Sequence, residues 1–179
     1  MSDSISISEN LPLIAGDLKV FPGRFVSGNF DILFEEIEHI GWYWLDFSLN
    51  GLNRQKVDLA FYVRNMDKPI RFSKSTLFVQ PKLVLAYRYI AQKTFMMRMG
   101  NYQKKLHEDG FFIYGTSIIF HSDGRVICNG DTFLLNDAKI TPFSISMKKP
   151  GLFGKRIHID MTLDDDVIRA LVGHIQNNS

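Results

Sequence analysis

The chain has 179 residues, of which 45% are hydrophobic and 22% are charged, and its formal net charge is +2. This length and hydrophobic content are enough for one ordinary domain or two small ones, so the composition excludes a disordered chain. The nearly neutral charge is not that of a general nucleic-acid-binding protein, and the single cysteine, Cys128, excludes an internal disulfide.

Residues 1–16 are interpreted as an N-terminal extension without a secretion signal, because acidic residues, Asp3 and Glu9, stand where such a signal needs positive charge. The longest apolar run, residues 40–45, is far shorter than the roughly 20 residues that span a bilayer. We therefore expect a cytoplasmic protein, at most peripheral to the inner face of a membrane, in which Cys128 is buried as a small hydrophobic residue.

Strand patterns occupy the first half of the chain. The segment from residue 41 to residue 49 places Trp42 and Trp44 on one face and further apolar residues on the other, so both faces are apolar. This pattern predicts either packing between elements of the protein or an exposed docking patch for a protein partner. The next strand alternates cleanly, and its predicted buried face consists of Val57, Leu59, Phe61 and Val63.

A helix is predicted to follow from Pro81, which suits the first helical position. Residues 95–99 make this helix apolar on two sides, which favours packing between two domains or, alternatively, a methionine-rich peptide-binding site. Gly100 and Asn101 predict its end, with a short second helix reaching His107. The expected buried stripe of the first helix consists of Leu83, Tyr87, Ile90 and Thr94.

The second half repeats this order of elements with little residue identity. Its short strands are separated by hairpin signals at Gly115, Asp123-Gly124 and Asn129-Gly130. Residues 157–161 alternate as a strand, and a helical stripe begins beyond residue 166. The stripe consists of Ile168, Leu171, Val172 and Ile175.

Three consecutive aspartates, residues 164–166, stand directly before this last helix. We predict that they cap its N-terminus, and Thr162 with Asp165 matches a capping box. The pairs His158 with Asp160 and His121 with Asp123 each supply only two candidate ligands. The sequence therefore predicts no catalytic, metal or cofactor-binding site.

The loop before the last strand is the best candidate for contact with a ligand. Its apolar tip, Leu152 and Phe153, is flanked by cations that favour an anionic membrane surface or a protein partner. The alternative is that Phe153 folds back onto its own domain. The predicted partner- or membrane-binding residues are Lys148, Lys149, Leu152, Phe153, Lys155 and Arg156, together with Trp42 and Trp44.

The patterns in each half thus predict several short antiparallel strands followed by one helix. This layout resembles the small bacterial pleckstrin-homology-like (PH-like) domain. The resemblance covers about residues 17–92 and again about 110–177. It lies in two strands, a turn, a short strand and a polar step that ends at Ile40 in one copy and Ile140 in the other. It implies an α+β fold of two small antiparallel half-barrels or sheets, each closed by a C-terminal helix.

The predicted domains are residues 17–99 and 110–179, joined by a linker at residues 100–109. We expect a non-catalytic binding or scaffolding module that recognises a protein partner, with no cofactor and no nucleic acid. One alternative is a peripheral membrane adaptor that docks on anionic lipid through residues 148–156. A small regulatory or immunity protein is a second alternative and an enzyme a third, and the oligomeric state is left open.

Overall fold

The structure, a computed structural model, describes residues 7–49, 52–76, 81–141, 144–149, 154 and 156–178. At some positions inside the strands and helices only the backbone is described, and Trp44 is one of these. The chain divides into two compact units, Met1–Met96 and Met97–Ser179, and each has buried hydrophobic residues of its own.

The first unit contains two antiparallel sheets. Its strands are β1 (Leu13–Ala15), β2 (Leu18–Val20), β3 (Arg24–Ser27), β4 (Phe30–Leu33), β5 (Ile37–Leu49), β6 (Leu52–Val63) and β7 (Ile70–Thr76). The strand orders are β1-β2-β3-β4 and β5-β6-β7, and a 3-10 helix, Phe34–Glu36, connects the two sheets. Helix α1 (Pro81–Glu108) follows β7, and the division between the units falls within this helix.

The second unit has the same order of elements. Its strands are β8 (Phe111–Tyr114), β9 (Ile118–His121), β10 (Arg125–Cys128), β11 (Asp131–Leu134), β12 (Lys139–Ile140), β13 (Ser144–Lys148) and β14 (Arg156–Asp160). The orders β11-β10-β9-β8 and β12-β13-β14 again describe a four-stranded and a three-stranded sheet, connected by the 3-10 helix Leu135–Asp137. Helix α2 (Asp165–Asn178) ends the unit.

The repeat extends to matching backbone hydrogen bonds. The first residue of each 3-10 helix donates to the carbonyl of a glycine before the preceding hairpin, Phe34 to Gly23 and Leu135 to Gly124, both at 2.9 Å. The prediction of an α+β fold, with antiparallel strands followed by a helix in each half, is confirmed. All four strand orders are linear, so within the described residues the sheets are open.

The strand face and the helix stripes that the sequence patterns predicted are part of the cores of the two units. Every second residue from Val57 to Val63 is buried, and the rings of Phe25 and Phe61 lie 4.6 Å apart. In the second unit the rings of Phe112 and Phe120 stack at 5.0 Å. The predicted stripes of the two helices are also buried or partly buried: Leu83, Tyr87, Ile90 and Thr94 on α1, and Ile168, Leu171, Val172 and Ile175 on α2.

Local turn chemistry is confirmed at the hairpin between β10 and β11. Asn129 and Gly130 have φ values of 52° and 79°, the left-handed conformations that a two-residue type I′ turn requires. Cys128, which precedes the turn, is half-buried and not fully buried as predicted. It is the last residue of β10 and pairs with Asp131 of β11.

The predicted end of the first helix at Gly100 is wrong, because α1 continues without interruption to Glu108. A glycine inside a helix costs about 1 kcal/mol, and buried contacts of Arg98 and Tyr102 on either side of Gly100 offset this cost. Met96 is 76% exposed. Among the described residues, no helix is both long enough and apolar enough to cross a membrane.

Candidate functional site

The four-stranded sheet of the second unit has apolar side chains on both faces. On the face opposite the core, Ile113 pairs with Ile119, and Ile119 pairs with Ile127. Cross-strand partners point to the same side of a sheet with Cβ atoms about 4.5 to 5.5 Å apart. Three isoleucines therefore form one continuous row across β8, β9 and β10, which ends at Thr132 on β11.

A second row lies two residues away along each strand and so on the same face. Phe111 pairs with His121, with ring centroids 5.9 Å apart, and Arg125 pairs with Leu134. Ile113 is 55% exposed and Leu134 is 40% exposed. We call the two rows together the outer face of the second unit: Phe111, Ile113, Ile119, His121, Arg125, Ile127, Thr132 and Leu134.

The corresponding face of the first unit mixes charged and apolar residues, and Ile14 and Leu33 on it are exposed. Its central row runs from Ile14 through Lys19 and Val26 to Asp31. The guanidinium of Arg24 binds the carboxylate of Asp31 at 2.5 Å on the same face. Charged residues among apolar ones are typical of a sheet face in water. The uninterrupted row of three isoleucines therefore distinguishes the second unit from the first.

The predicted basic loop is described only at its base. Lys148 and Arg156 lie directly opposite each other at the end of β13 and β14, and both are exposed. Lys149 binds Asp131 of β11, with 2.7 Å between Nζ and Oδ1. Three of the predicted residues, Leu152, Phe153 and Lys155, lie outside the described residues.

Lys148 and Arg156 belong to a wider basic sheet face. Lys139 on β12 pairs with Ser146 on β13, and Ser146 pairs with His158 on β14. This row lies two residues from the pair Lys148 and Arg156 and therefore on the same side of the sheet. We call Lys139, Ser146, Lys148, Arg156 and His158 the basic sheet face; Asp160, at its far end, is its acidic neighbour.

Trp42, the other predicted docking residue, is half-buried in the first unit. Its ring stacks on that of Tyr87 of α1 at 4.5 Å with an interplanar angle of 18°. Tyr43 and Leu45 project from the opposite side of β5 and are exposed. The contact with Tyr87 agrees with the packing alternative for this strand, and the side chain of Trp44 lies outside the described part of the chain.

The three aspartates have a role that the capping hypothesis did not include. Arg98 of α1 is fully buried, and its Nη1 lies 2.7 Å from Oδ1 of Asp164. The same guanidinium makes two bonds to Asp166, of 2.9 and 2.7 Å. Tyr102 donates its hydroxyl to the other oxygen of Asp164 at 3.0 Å. We call Arg98, Tyr102, Asp164 and Asp166 the buried ion cluster.

The backbone before α2 is held from a second side by Tyr114. Its hydroxyl accepts hydrogen bonds from the N–H groups of Thr162 and Leu163 at 2.9 and 3.1 Å. The first bond of α2 runs from the Ile168 N–H to the carbonyl of Asp164 at 2.8 Å. Asp164 is therefore the N-cap residue, and the predicted capping box is wrong because Thr162 stands two residues before it.

The ionisation of the cluster follows from its burial and pairing. Burial alone lowers the pKa of Arg98, but the bonds and charges of Asp166 and Asp164 raise the pKa above its ordinary value. Burial and the charge of Asp164 raise the pKa of the Tyr102 hydroxyl. The guanidinium is thus charged and the phenol neutral, and the cluster's polar groups bind one another.

The histidine pairs do not extend to a metal site within the described residues, where no group of three His, Cys, Asp or Glu side chains is placed to hold an ion. His158 and Asp160 are both exposed on β14. Asp123 binds Arg125, with 2.7 Å between Oδ2 and Nε. Comparison of the chain with protein-family models, curated proteins and solved structures gives no match.

Proposed function

We propose that the chain consists of two PH-like domains in tandem and is a non-catalytic binding module that recognises a protein partner. The repeated order of four strands, a 3-10 helix, three strands and a helix supports the domain proposal. The outer face of the second unit supports the binding proposal, since contiguous accessible apolar residues mark interaction sites. Ile113 and Leu134 on it are exposed, and Phe111, Ile119 and Ile127 are half-buried.

The isoleucine row can supply free energy of binding without charged contacts. Full burial of one isoleucine side chain contributes about 1.5 to 3 kcal/mol, and Ile113 and Leu134 still expose much of their surface. In the first unit the equivalent face has no such row, because Lys19 and Asp31 interrupt its apolar residues. A partner would therefore distinguish the second unit from the first by the composition of this face.

We expect the double variant Ile113→Lys and Leu134→Lys to lose proteins that co-purify with the wild-type chain from extracts of its own cells. The matched control is Ile14→Lys with Leu33→Lys in the first unit, where the two side chains are 47% and 45% exposed. Affinity purification with quantitative mass spectrometry measures the difference. Equal recovery of the same proteins by both double variants would contradict the proposed surface.

A peripheral membrane adaptor is a second candidate, and the basic sheet face favours it. Like charges directly opposite each other on a sheet are destabilising, yet Lys148 and Arg156 occupy such a pair, with Lys139 nearby. An anionic surface would remove this repulsion, and each cation near it contributes about 1 kcal/mol. The site would then include residues of the sheet as well as the predicted loop.

The expected result for the membrane candidate is a roughly tenfold or greater loss of binding to anionic phospholipid vesicles in Lys139→Glu with Arg156→Glu. Vesicle sedimentation with and without anionic lipid measures it. Lys19→Glu, on the exposed face of β2, is the control and should bind as the wild type does. A loss seen only with Leu152→Ser and Phe153→Ser would assign binding to the loop and not to the sheet face.

A further inference from the structure

We infer that the outer face of the second unit binds one amphipathic α-helix of its partner protein. This inference rests on the proposed function and adds the kind of element that the partner presents. It follows from the size of the face, from the position of its isoleucines within the sheet, and from the pairing of the charged residues at its border.

The dimensions of the face match one helix. Four strands at a spacing of about 4.8 Å place β8 about 14 Å from β11, and four residues extend about 13 Å along a strand. A helix with its side chains is about 10 to 12 Å wide, and three turns of it are about 16 Å long. One helix of about three turns therefore covers both rows.

The same dimensions argue against a second copy of the chain. A stable interface takes roughly 20 to 30 residues from each partner, or about 800 Å². The outer face has only two rows of four positions. Two copies that met through this face alone would bury too little surface for a stable dimer.

The location of the isoleucines argues against an added β-strand. A peptide that extends a sheet pairs with the backbone of an edge strand, here β8 or β11. Ile119 and Ile127 lie on β9 and β10, the two inner strands, where an added strand does not reach. A helix that lies across the face contacts all three isoleucines.

Charged residues at the border of the face are already paired. Arg125 binds Asp123, and Lys149 binds Asp131 beside the β11 end of the row. The outer face therefore recognises the partner's helix by its apolar stripe. Helix α2 shows the spacing expected of such a stripe, because its buried residues recur at i, i+3, i+4 and i+7 from Ile168.

The test is selection of peptides of about 15 residues, long enough for three to four helical turns, from a displayed random library against the full chain. We expect selected sequences to share apolar residues at i, i+3, i+4 and i+7. Synthetic copies should gain helical circular dichroism on binding. Ile113→Lys with Leu134→Lys should weaken binding by more than about tenfold, whereas Ile14→Lys with Leu33→Lys should leave it unchanged.

Three results would overturn the inference. Selected sequences that alternate apolar and polar residues and bind without gaining helicity would indicate strand addition, and the proposed function would stand. Sedimentation that shows a wild-type dimer, dissociated by Ile113→Lys, would assign the face to a second copy. If neither double variant affected peptide binding, the outer face would not be the helix site. The co-purification experiment separately tests whether this face binds a protein.

Discussion

Replacement of Arg98 by methionine should destabilise the second unit by about 3 to 5 kcal/mol, the cost of breaking a buried ion pair by removing one partner. Methionine fills most of the space of the arginine stem, so the loss comes mainly from the charge. Asp164 would remain buried, and of the other cluster members only Tyr102 would bind its carboxylate. Urea unfolding followed by far-ultraviolet circular dichroism measures the change.

Exposed Arg88, on the same helix, provides the control, and Arg88→Met should change the free energy of unfolding by less than about 0.5 kcal/mol. Both tryptophans lie in the first unit, so tryptophan fluorescence reports separately on that unit. Addition of Asp164→Asn to Arg98→Met should cost less than the sum of the two single changes, because the pair is already broken. Strict additivity would show that the two groups do not interact in solution.

The elements that could be predicted from the sequence are those with local causes. The alternation from Val57 to Val63 and the stripe from Ile168 to Ile175 depend on the geometry of a single strand or helix. The turn at Asn129 and Gly130 depends on two adjacent residues that tolerate positive φ. Each of these patterns is contained in fewer than about ten residues, so it does not depend on long-range contacts.

The buried ion cluster could not be predicted in this way. A charged residue in a helical pattern is ordinarily assigned to the exposed side, and Arg98 stands among methionines that already suggested an apolar surface. Its partner Asp164 is 66 residues away along the chain. The error in the helix end at Gly100 has the same origin, because the contacts that continue α1 are long-range.

The isoleucine row required knowledge of strand register. The alternation within each strand indicates which residues share a face, but only the pairing of β8 with β9 and of β9 with β10 brings Ile113, Ile119 and Ile127 together. Lys139 was missed for the same reason, since it joins the basic sheet face only through its partner Ser146. Signals of this kind depend on the pairing between strands and not on the pattern within one strand.

Replacement of Asp164 by asparagine should cost about 1.5 to 3 kcal/mol, because Arg98 keeps its bonds to Asp166, whereas Asp165→Asn should cost at most about 1 kcal/mol. Asparagine keeps the shape of the side chain and tolerates the left-handed φ of 47° at residue 164. The change therefore removes the charge and replaces one of the two acceptor oxygens by a donor. Arg98 would lose the carboxylate charge at 2.7 Å while remaining fully buried. Asp165 instead forms a partly exposed pair with Arg169, four residues along α2.

The contrast between the two variants separates ion pairing from capping. If the aspartates acted only at the positive end of the helix dipole, both changes would cost similar amounts of about 0.3 to 1 kcal/mol, and added salt would reduce both. The buried pair of Asp164 is shielded from salt, so its larger cost should persist at high ionic strength. Urea unfolding of both variants at low and at high salt measures this. Equal losses that decrease with added salt would assign the aspartates to capping. A buried, desolvated charge predicts instead that Asp164→Asn costs more than Asp165→Asn.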